Sequence, residues 1–287
     1  MEIEIKEDLK QVEEFWNTNL CGKQFVNAKF PSKDFFDLYR AFRYKKTHHL
    51  DTYIDWKEAN GKDVLEIGLG IGADGTRWAQ HAKSYTGADL TAEAVAATKI
   101  HFDHLNLKGN IKQNNAEALD LPSDCFDIVY SHGVLHHTTD IKKTFHEINR
   151  VLKNDGQFIV MLYSKGSFNY WFRIQFYFRL RLLFELLKNK FGFTSLGNWA
   201  LHIKNFKTEG WSYISWSNFS HRCTDGPDCK IANIYYQKEM VKLLESEGFK
   251  IEKMKKAHFP LGAKFPKLER WLGKYIGFHQ LIWARKV

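Results

Sequence analysis

Hydrophobic and polar positions in the middle of the chain alternate between short apolar runs and longer stretches with helical spacing. The first apolar run covers residues 63–68, and residues 73–82 after it have a helical pattern. A second strand is predicted at 85–89, and Thr91 is predicted to cap the helix that follows it. This part of the chain therefore begins as a strand, a tight turn, a helix and a second strand.

The same alternation continues to the C-terminus. Further strands are predicted at 110–114, 126–131, 157–163, 249–255 and 280–284. Asp140 is predicted to cap a helix with one apolar face, and residues 237–247 form another helix, which Gly248 ends. Strands that alternate with helices form parallel sheets covered on both faces. The predicted fold class is α/β: a doubly wound, Rossmann-like, mostly parallel sheet of seven strands with a helical, aromatic-rich cap.

Two stretches fall outside this alternation. Residues 1–60 are predicted to form an N-terminal helical cap, and residues 164–235 are predicted to form an aromatic lid inserted before the last two strands. The core would then be 61–163, and residues 236–287 would complete the sheet. We expect both extra stretches to cover the carboxyl edge of the sheet, where ligands of such folds bind.

Composition and charge narrow the class of protein. The 287 residues are 44% hydrophobic and 26% charged, which is typical of a globular chain, and four cysteines do not make a disulfide framework. The first twenty residues carry six acids, and the chain has no run of 18 uncharged apolar residues. These features favour a cytoplasmic protein without a spanning helix.

The net charge of +9 comes largely from the C-terminal end, where residues 250–287 hold ten lysines and arginines against two acids. Lysines that protect an exposed sheet edge are one explanation. A functional basic patch for an anionic membrane or a nucleic acid is the alternative.

A glycine-rich turn follows the first predicted strand. Glycines at 68, 70 and 72 remove every Cβ where the chain turns, so that a ligand can approach the backbone. The pattern also satisfies a dinucleotide fingerprint, with Asp89 about twenty residues further on, so an NAD(P)-dependent oxidoreductase is an alternative. Glu66 favours S-adenosylmethionine, because a carboxylate there would repel a pyrophosphate but suit an ammonium and a sulfonium group.

Five motifs in order carry a resemblance to a known family. They are Glu66-x-Gly68-x-Gly70-x-Gly72, Asp89, Asn115-Ala116-Glu117, the strand 126–131 and the segment 152–156. Together they resemble the motifs of class I S-adenosylmethionine-dependent methyltransferases, in the broad group that includes the ubiquinone and menaquinone biosynthesis methyltransferases. The resemblance covers residues 61–163 and resumes over 237–287.

The resemblance implies a set of cofactor-binding residues. Gly68 and Gly70 would contact the methionyl part of S-adenosylmethionine, Asp89 would accept hydrogen bonds from the ribose hydroxyls, and Asn115 and Ala116 would meet the adenine. This family usually has Asp where Asn115 stands. The full predicted set is Glu66, Gly68, Gly70, Gly72, Asp89, Leu90, Asn115, Ala116, Glu117 and Ser131.

Methyl transfer from a sulfonium requires alignment of the acceptor and exclusion of water, and a general base is optional. His132 is the first candidate for such a base, with His136 as a second, and Tyr163 could bond the acceptor at the end of the fifth predicted strand. The predicted acceptor is a small molecule of hydrophobic or aromatic character, and its reacting atom, O, N, C or S, stays open.

Other partners are disfavoured by missing patterns. The turn after the fourth predicted strand lacks the Pro-Pro-aromatic sequence of enzymes that methylate nucleobase amino groups, so a nucleic-acid acceptor is not expected. His221, Cys223 and Cys229 fit no common zinc spacing, so no metal site is predicted.

Residues 167–191 hold an unusual concentration of aromatic rings in one predicted helix. We interpret this segment as a lid over the acceptor pocket. Docking on an anionic membrane, with its arginines and lysines at the headgroups, and a homodimer contact are the alternatives.

Overall fold

The computed structural model describes residues 2–261 and 265–287, with side chains from residue 7 onward. Met1, Lys264 and the side chains of Glu2 and Glu4, which contribute to the predictions above, lie outside the described part. The α-helices are α1 Glu2–Thr18, α2 Lys33–Lys46, α3 Leu50–Tyr53, α4 Ala73–Ala79, α5 Ala92–His104, α6 Ile141–Val151, α7 Arg179–Lys190, α8 Asn198–Glu209, α9 Trp216–Arg222, α10 Gln237–Ser246 and α11 Pro266–Ile276. The strands are β1 Asp63–Ile67, β2 Ser84–Asp89, β3 Asn110–Gln113, β4 Phe126–His132, β5 Leu152–Ser164, β6 Ile234–Tyr235, β7 Phe249–Ala257 and β8 His279–Lys286.

The strands form one mixed sheet in the order β3-β2-β1-β4-β5-β8-β7, and β6 pairs with the end of β5. The pairs from β3 to β5 are parallel, and β8 runs antiparallel between β5 and β7. The predicted α/β, mostly parallel, Rossmann-like fold is confirmed. The strand count was one too low, because β6 has only two residues and leaves no periodic signal in the sequence.

Local predictions hold where a side chain sets the boundary. The side chains of Thr91 and Asp140 accept hydrogen bonds from the backbone N–H of Ala94 and Lys143, which confirms both predicted helix caps. The fifth predicted strand starts five residues too late, because Phe126 pairs with Leu152 before an irregularity shifts the register of β4 and β5.

Alternate residues of the central strands pack on opposite faces of the sheet. Leu65 and Val129 contact the cluster under α6 and α10, whereas Val64 and Ile128 join the cluster around Trp78 on the other face. Both faces are therefore buried, as expected for parallel strands covered by helices.

The N-terminal helices and the insertion each add a smaller cluster. Phe35 and Phe36 of α2 pack against Ile71 and Ala73, which places the N-terminal region on the glycine turn. Within the insertion, buried side chains from three helices and a short turn hold the segment together: Leu182, Ile203, Tyr213 and Phe219. The division into a cap, a core and a lid stays a prediction.

β7 is the last strand at one side of the sheet and pairs only with β8 among the described strands. It carries Lys250, Lys253, Lys255 and Lys256, which is the arrangement expected of lysines that protect a sheet edge.

We predict that Phe145→Ala lowers the free energy of unfolding by about 3–5 kcal/mol, because the side chain is fully buried on α6 against Phe158. Urea denaturation measures the loss. Phe193→Ala is the matched control, since Phe193 is 63% exposed and its truncation should cost less than about 0.5 kcal/mol. Equal losses at the two positions would show that the sheet is not packed as described.

Candidate active site

A cavity of 630 Å³ opens at the carboxyl ends of β1, β2 and β4. Its volume lies within the range of about 300–1,000 Å³ that is usual for small-molecule sites. β2 and β3 lie on one side of β1, while β4 and β5 lie on the other. The cavity is therefore at the point where the strand order reverses, which is the ligand crevice of open α/β sheets.

The three predicted glycines have positive φ angles but different surroundings. Gly68 has φ 82°, and a Cβ there would lie 2.1 Å from Cγ2 of Val134. Gly70 has φ 54°, and its nearest non-neighbouring atom would be the carbonyl oxygen of Cys21 at 3.9 Å, so the space beside it is open to the cavity. Gly72 packs against Thr98 of α5, with 2.7 Å between its added Cβ and Cγ2. Among the described lining residues, Gly68 and Gly70 face the cavity and Gly72 does not.

Asp89 ends β2 and lines the cavity. Its Oδ2 accepts from the backbone N–H of Leu69 at 2.7 Å, and its Oδ1 accepts from the N–H and the hydroxyl of Thr91 at 2.9 and 2.8 Å. Burial raises the pKa of this carboxyl, and these donors oppose the shift. A carboxylate has about four acceptor positions, and three of those of Asp89 are used, one at the glycine turn through Leu69 and two at the start of α5 through Thr91. Its bond to a ribose stays a prediction.

Two buried carboxyl groups lie beside the glycine turn, and only one of them has a cationic partner in the described residues. Asp74 accepts from Nε and Nη2 of Arg43 at 3.1 and 2.6 Å. Glu66 accepts the hydroxyl proton of Tyr85 at 2.6 Å. Burial and the Asp74 carboxylate hold the pKa of Glu66 well above its usual value, so a bound cation would favour its ionised form.

All four residues of the predicted adenine end line the cavity: Leu90, Asn115, Ala116 and Glu117. The Glu117 carboxylate also accepts from the backbone N–H of Thr139 at 2.6 Å, so it visibly fixes a loop, and its role toward a cofactor stays a prediction.

Ser131, also in the predicted cofactor set, is fully buried, and its hydroxyl donates to the carbonyl oxygen of Ile67 at 2.8 Å. The structure therefore joins β4 to β1 through Ser131 and does not bring it into the cavity lining.

The predicted base His132 lines the cavity, but its Nδ1 lies 3.2 Å from Nη2 of Arg43. Because a guanidinium only donates, Nδ1 accepts and the ring proton sits on Nε2. Burial and the Arg43 charge lower the pKa of His132 to about 3. In this arrangement His132 can donate a hydrogen bond but has no free lone pair for a proton, which argues against the predicted role as a base.

Tyr163 lines the cavity, and its hydroxyl donates to Asp225 at 3.0 Å. Burial and the Asp225 charge hold the pKa of Tyr163 well above its usual value, so it remains a neutral phenol. The other predicted catalytic histidine, His136, is fully buried, with its ring centroid 3.9 Å from that of Tyr163, and it is not among the lining residues. His136 therefore packs against the Tyr163 ring without lining the cavity itself.

Several cavity residues were missed by the sequence interpretation. Asp225 comes from the loop after α9, and His258 and His279 come from the end of β7 and the start of β8. The insertion and the last two strands are far apart in the sequence, and only folding brings them together at the cavity. Nδ1 of His279 lies 3.4 Å from Nε2 of the buried His49. No periodic or spacing signal in the chain connects these positions.

Two groups of side chains bring three potential metal ligands within 4.8 Å: His49, His132 and His279, and His136, His137 and Asp225. In the first group, the bond from Arg43 occupies the His132 lone pair and places a positive charge beside it. In the second group, Asp225 already accepts from Tyr163. That the protein has no metal site stays a prediction.

Comparison with known proteins supplies the family. Residues 65–160 match a family model described as a methyltransferase domain. An uncharacterized methyltransferase of Bacillus subtilis, YcgJ, is 32% identical over 99 residues, which are 34% of this chain and 39% of that protein. Over residues 65–160 the chain is thus similar to class I S-adenosylmethionine-dependent methyltransferases.

Two further likenesses show how far the methyltransferase domain extends. The ubiquinone/menaquinone biosynthesis C-methyltransferase UbiE of Cronobacter sakazakii is 29% identical over 113 residues, 38% of this chain and 45% of that protein. The match thus spans less than half the length of these curated relatives. A solved S-adenosylmethionine-dependent methyltransferase of Methanosarcina mazei has a TM-score of 0.53 at 19% identity, covering 83% of this chain and 96% of that one, and shows the common fold.

The cofactor of this domain class is S-adenosylmethionine, and the cavity fits it better than a dinucleotide. Gly70 leaves an open cradle that a Cβ would fill, and the uncompensated acid Glu66 suits the cationic end of this cofactor. A pyrophosphate at the glycine turn would lie beside Glu66 and Asp89, which line the cavity and have no cationic partner in the described residues. The family match and these charges together favour the methyltransferase cofactor over NAD(P).

We predict that stability falls as the pH is lowered from about 6.5, and that His132 contributes to the slope. The ordinary pKa of 6.5 falls to about 3 in the folded state, so between these values only the unfolded chain binds this proton. Stability is therefore lost as the pH drops through this window, at about 1.4 kcal/mol per pH unit for one proton. Urea midpoints at a series of pH values measure it.

His132→Asn should flatten this dependence relative to the wild type. Above pH 7 the His132 ring of the wild type is neutral in both the folded and the unfolded chain. The slopes of the wild type and the variant should therefore differ least there. His101 and His258, whose pKa values burial lowers to about 4, keep part of the slope in the variant. An unchanged slope in His132→Asn would contradict the burial of a neutral ring beside Arg43.

Proposed function

We propose that this protein transfers the methyl group of S-adenosylmethionine to a small-molecule acceptor. The observation that carries the proposal is one continuous cavity with two chemically different ends. One end holds Gly68, Gly70 and Asp89, and the other is lined by side chains such as Tyr163 and Phe278. The family match supports methyl transfer, while the names of the relatives describe their own substrates.

The residues at the first end would hold the cofactor. The backbone at Gly68 and Gly70 would lie against its methionyl part, Glu66 would face its ammonium group, and Leu90 and Asn115 would flank the adenine. When bound, this cofactor supplies an electrophilic methyl group on a sulfonium. Arg43 compensates Asp74, whereas Glu66 has no cationic partner among the described side chains, so a cationic ligand would favour the ionised form of Glu66.

The second end would hold the acceptor. Met161, Tyr163 and Phe278 offer apolar surface, and the rings of Tyr163 and Phe278 stack with centroids 4.4 Å apart. Such a wall favours a hydrophobic or aromatic small molecule, because flat apolar surface is withdrawn from water on binding. Trp16 and Tyr39 of the N-terminal region also line the cavity and would help to exclude water from the reacting atoms.

Asp225 is the best-placed general base in the cavity. Its carboxylate is held by the Tyr163 hydroxyl at 3.0 Å and lies 3.6 Å from Nε2 of His137. Among the described residues no lysine or arginine pairs with it, in contrast to Asp74. In the proposed reaction Asp225 would take the acceptor's proton as the acceptor receives the methyl group that the bound cofactor supplies.

We predict that the protein binds S-adenosylhomocysteine and that Asp89→Asn weakens this binding, because the variant replaces an acceptor oxygen with a donor at the glycine turn. We expect a roughly tenfold or larger increase in Kd, since one lost hydrogen bond to a charged group is worth about 1.5–3 kcal/mol. Titration calorimetry measures both affinities.

Asp103→Asn, at an exposed position of α5, is the matched control and should keep the wild-type affinity. NADH serves as the competing ligand. Tight NADH binding without S-adenosylhomocysteine binding would overturn the proposed function in favour of an oxidoreductase.

We predict that Asp225→Asn lowers turnover by about 10²–10⁴-fold while leaving the affinity for S-adenosylhomocysteine close to that of the wild type. The assay follows release of S-adenosylhomocysteine, first with pools of small molecules to find an acceptor and then with that acceptor. Asp228→Asn is the control, because Asp228 is an exposed aspartate three residues away. Equal turnover in the Asp225 and Asp228 variants would remove Asp225 as the base.

A further inference from the structure

The long helix of the insertion exposes a continuous row of large apolar side chains. This helix begins as a π-helical segment, Asn169–Phe178, and continues directly into α7. Its exposed row, named here the apolar stripe, consists of Phe172, Phe176, Leu180, Leu183, Phe184 and Leu187. Each member is between 51% and 56% exposed. Spacings of three and four residues place them along one side of the helix.

The opposite side of the same helix is already packed. Tyr170, Ile174 and Leu182 are buried, and Leu182 belongs to the insertion's own cluster with Tyr213 and Phe219. The apolar stripe is therefore not the side by which the helix joins the protein. A helix that is apolar on both sides normally has an apolar neighbour on both sides.

The size of the stripe is unusual for a surface that faces water. An aromatic side chain has about 150–250 Å² to bury, so the three half-exposed phenylalanines alone present on the order of 300 Å². With the three half-exposed leucines beside them, the stripe falls within the range of about 300–600 Å² that is given for the largest apolar patch on a typical soluble protein. A specific occupant is expected.

The charge of the insertion distinguishes between two possible partners of the apolar stripe, a second copy of the chain and a lipid surface. Residues 164–224 contain nine basic and two acidic side chains, a net charge of +7. Both acids are already paired, Glu185 with Arg181 and Lys188 and Glu209 with Arg222. A second copy of this chain would bring like charges together, whereas an anionic lipid surface complements them.

A neighbouring helix repeats the pattern. α11 exposes Leu268, Trp271 and Tyr275 between exposed cationic residues. The Nζ of Lys256 donates to the carbonyl oxygen of Gly166 at 3.0 Å and to that of Tyr275 at 3.5 Å, which brings the end of α11 beside the start of the insertion helix. Aromatic and cationic side chains thus occur together on two adjacent helices.

We propose that the apolar stripe docks the protein on the surface of an anionic lipid bilayer, with the surrounding lysines and arginines at the headgroups. In the described ranges, no helix is long and apolar enough to cross a membrane, so the contact is peripheral. Arg173 of the same helix is exposed and also lines the cavity, which brings an edge of the candidate active site to the docked side. Docking goes beyond the proposed function and does not depend on it.

Co-sedimentation of the full chain with vesicles tests the proposal. The vesicles are phosphatidylcholine alone or phosphatidylcholine mixed with phosphatidylglycerol, each at low and high salt. We expect binding to the mixed vesicles, weaker binding at high salt, and a roughly tenfold or larger loss of affinity in Phe176→Ser/Phe184→Ser, because the insertion of apolar side chains is removed. Leu38→Ser on α2, 49% exposed, is the control and should bind like the wild type.

The outcomes separate docking from its alternatives. Equal binding to both vesicle types, or unchanged binding of the double variant, overturns the proposal. Sedimentation velocity is run alongside, and a dimer that the double variant dissociates, without vesicle binding, assigns the stripe to a second copy and also overturns it. S-adenosylhomocysteine affinity, measured on the same variants, reports on the proposed function separately and should stay unchanged, because the stripe does not line the cavity.

Discussion

The buried pair of Asp74 and Arg43 is the interaction on which the arrangement of the site depends. Asp74 stands in the first turn of α4, and Arg43 comes from α2. Although burial alone would raise the pKa of Asp74, Arg43 and the hydroxyl of Tyr130 hold it well below its usual range. A buried carboxylate is costly without such partners. Docking of the N-terminal helices on the glycine turn is therefore an electrostatic requirement as well as an apolar contact.

The same pair sets the charge of the cavity. Arg43 compensates Asp74 and donates to His132, and burial together with the Arg43 charge lowers the pKa of His132 and keeps its ring neutral. Glu66 has no such partner in the described residues and is stabilised by the hydroxyl of Tyr85. Burial and the Asp74 carboxylate hold the pKa of Glu66 well above its usual value, so a cationic ligand would favour its ionised form. This agrees with S-adenosylmethionine, the cofactor of this domain class.

The insertion contributes to both the cavity and the protein surface. Its loop supplies Asp225 opposite Tyr163, and the first turns of its long helix bring Asn169 and Arg173 to the cavity. The rest of the helix turns one apolar side to the insertion's own cluster and the other to solvent. The lid predicted for residues 167–191 stays a prediction. A single helix in this way links the cavity to an external surface.

The sequence by itself determined the features that depend on neighbouring residues. The parallel strands, the caps at Thr91 and Asp140, and the glycine turn with Glu66 and Asp89 follow from local spacing and backbone chemistry, and the structure contains each of them. Roles that depend on a distant partner could not be deduced in this way. His132 is a plausible base in the chain, and only the contact with Arg43, 89 positions away, shows that its lone pair is used.

Tertiary structure likewise decided which acids and rings face the cavity. Asp225 and Tyr163 are 62 positions apart, and no periodicity joins a loop of the insertion to the end of β5. Gly72 and Ser131 belong to the right motifs, yet packing against Thr98 and Ile67 directs them away from the cavity. The physical reason is that periodicity and motif spacing record only short-range constraints, whereas burial, protonation and access are set by whichever segments the fold brings together.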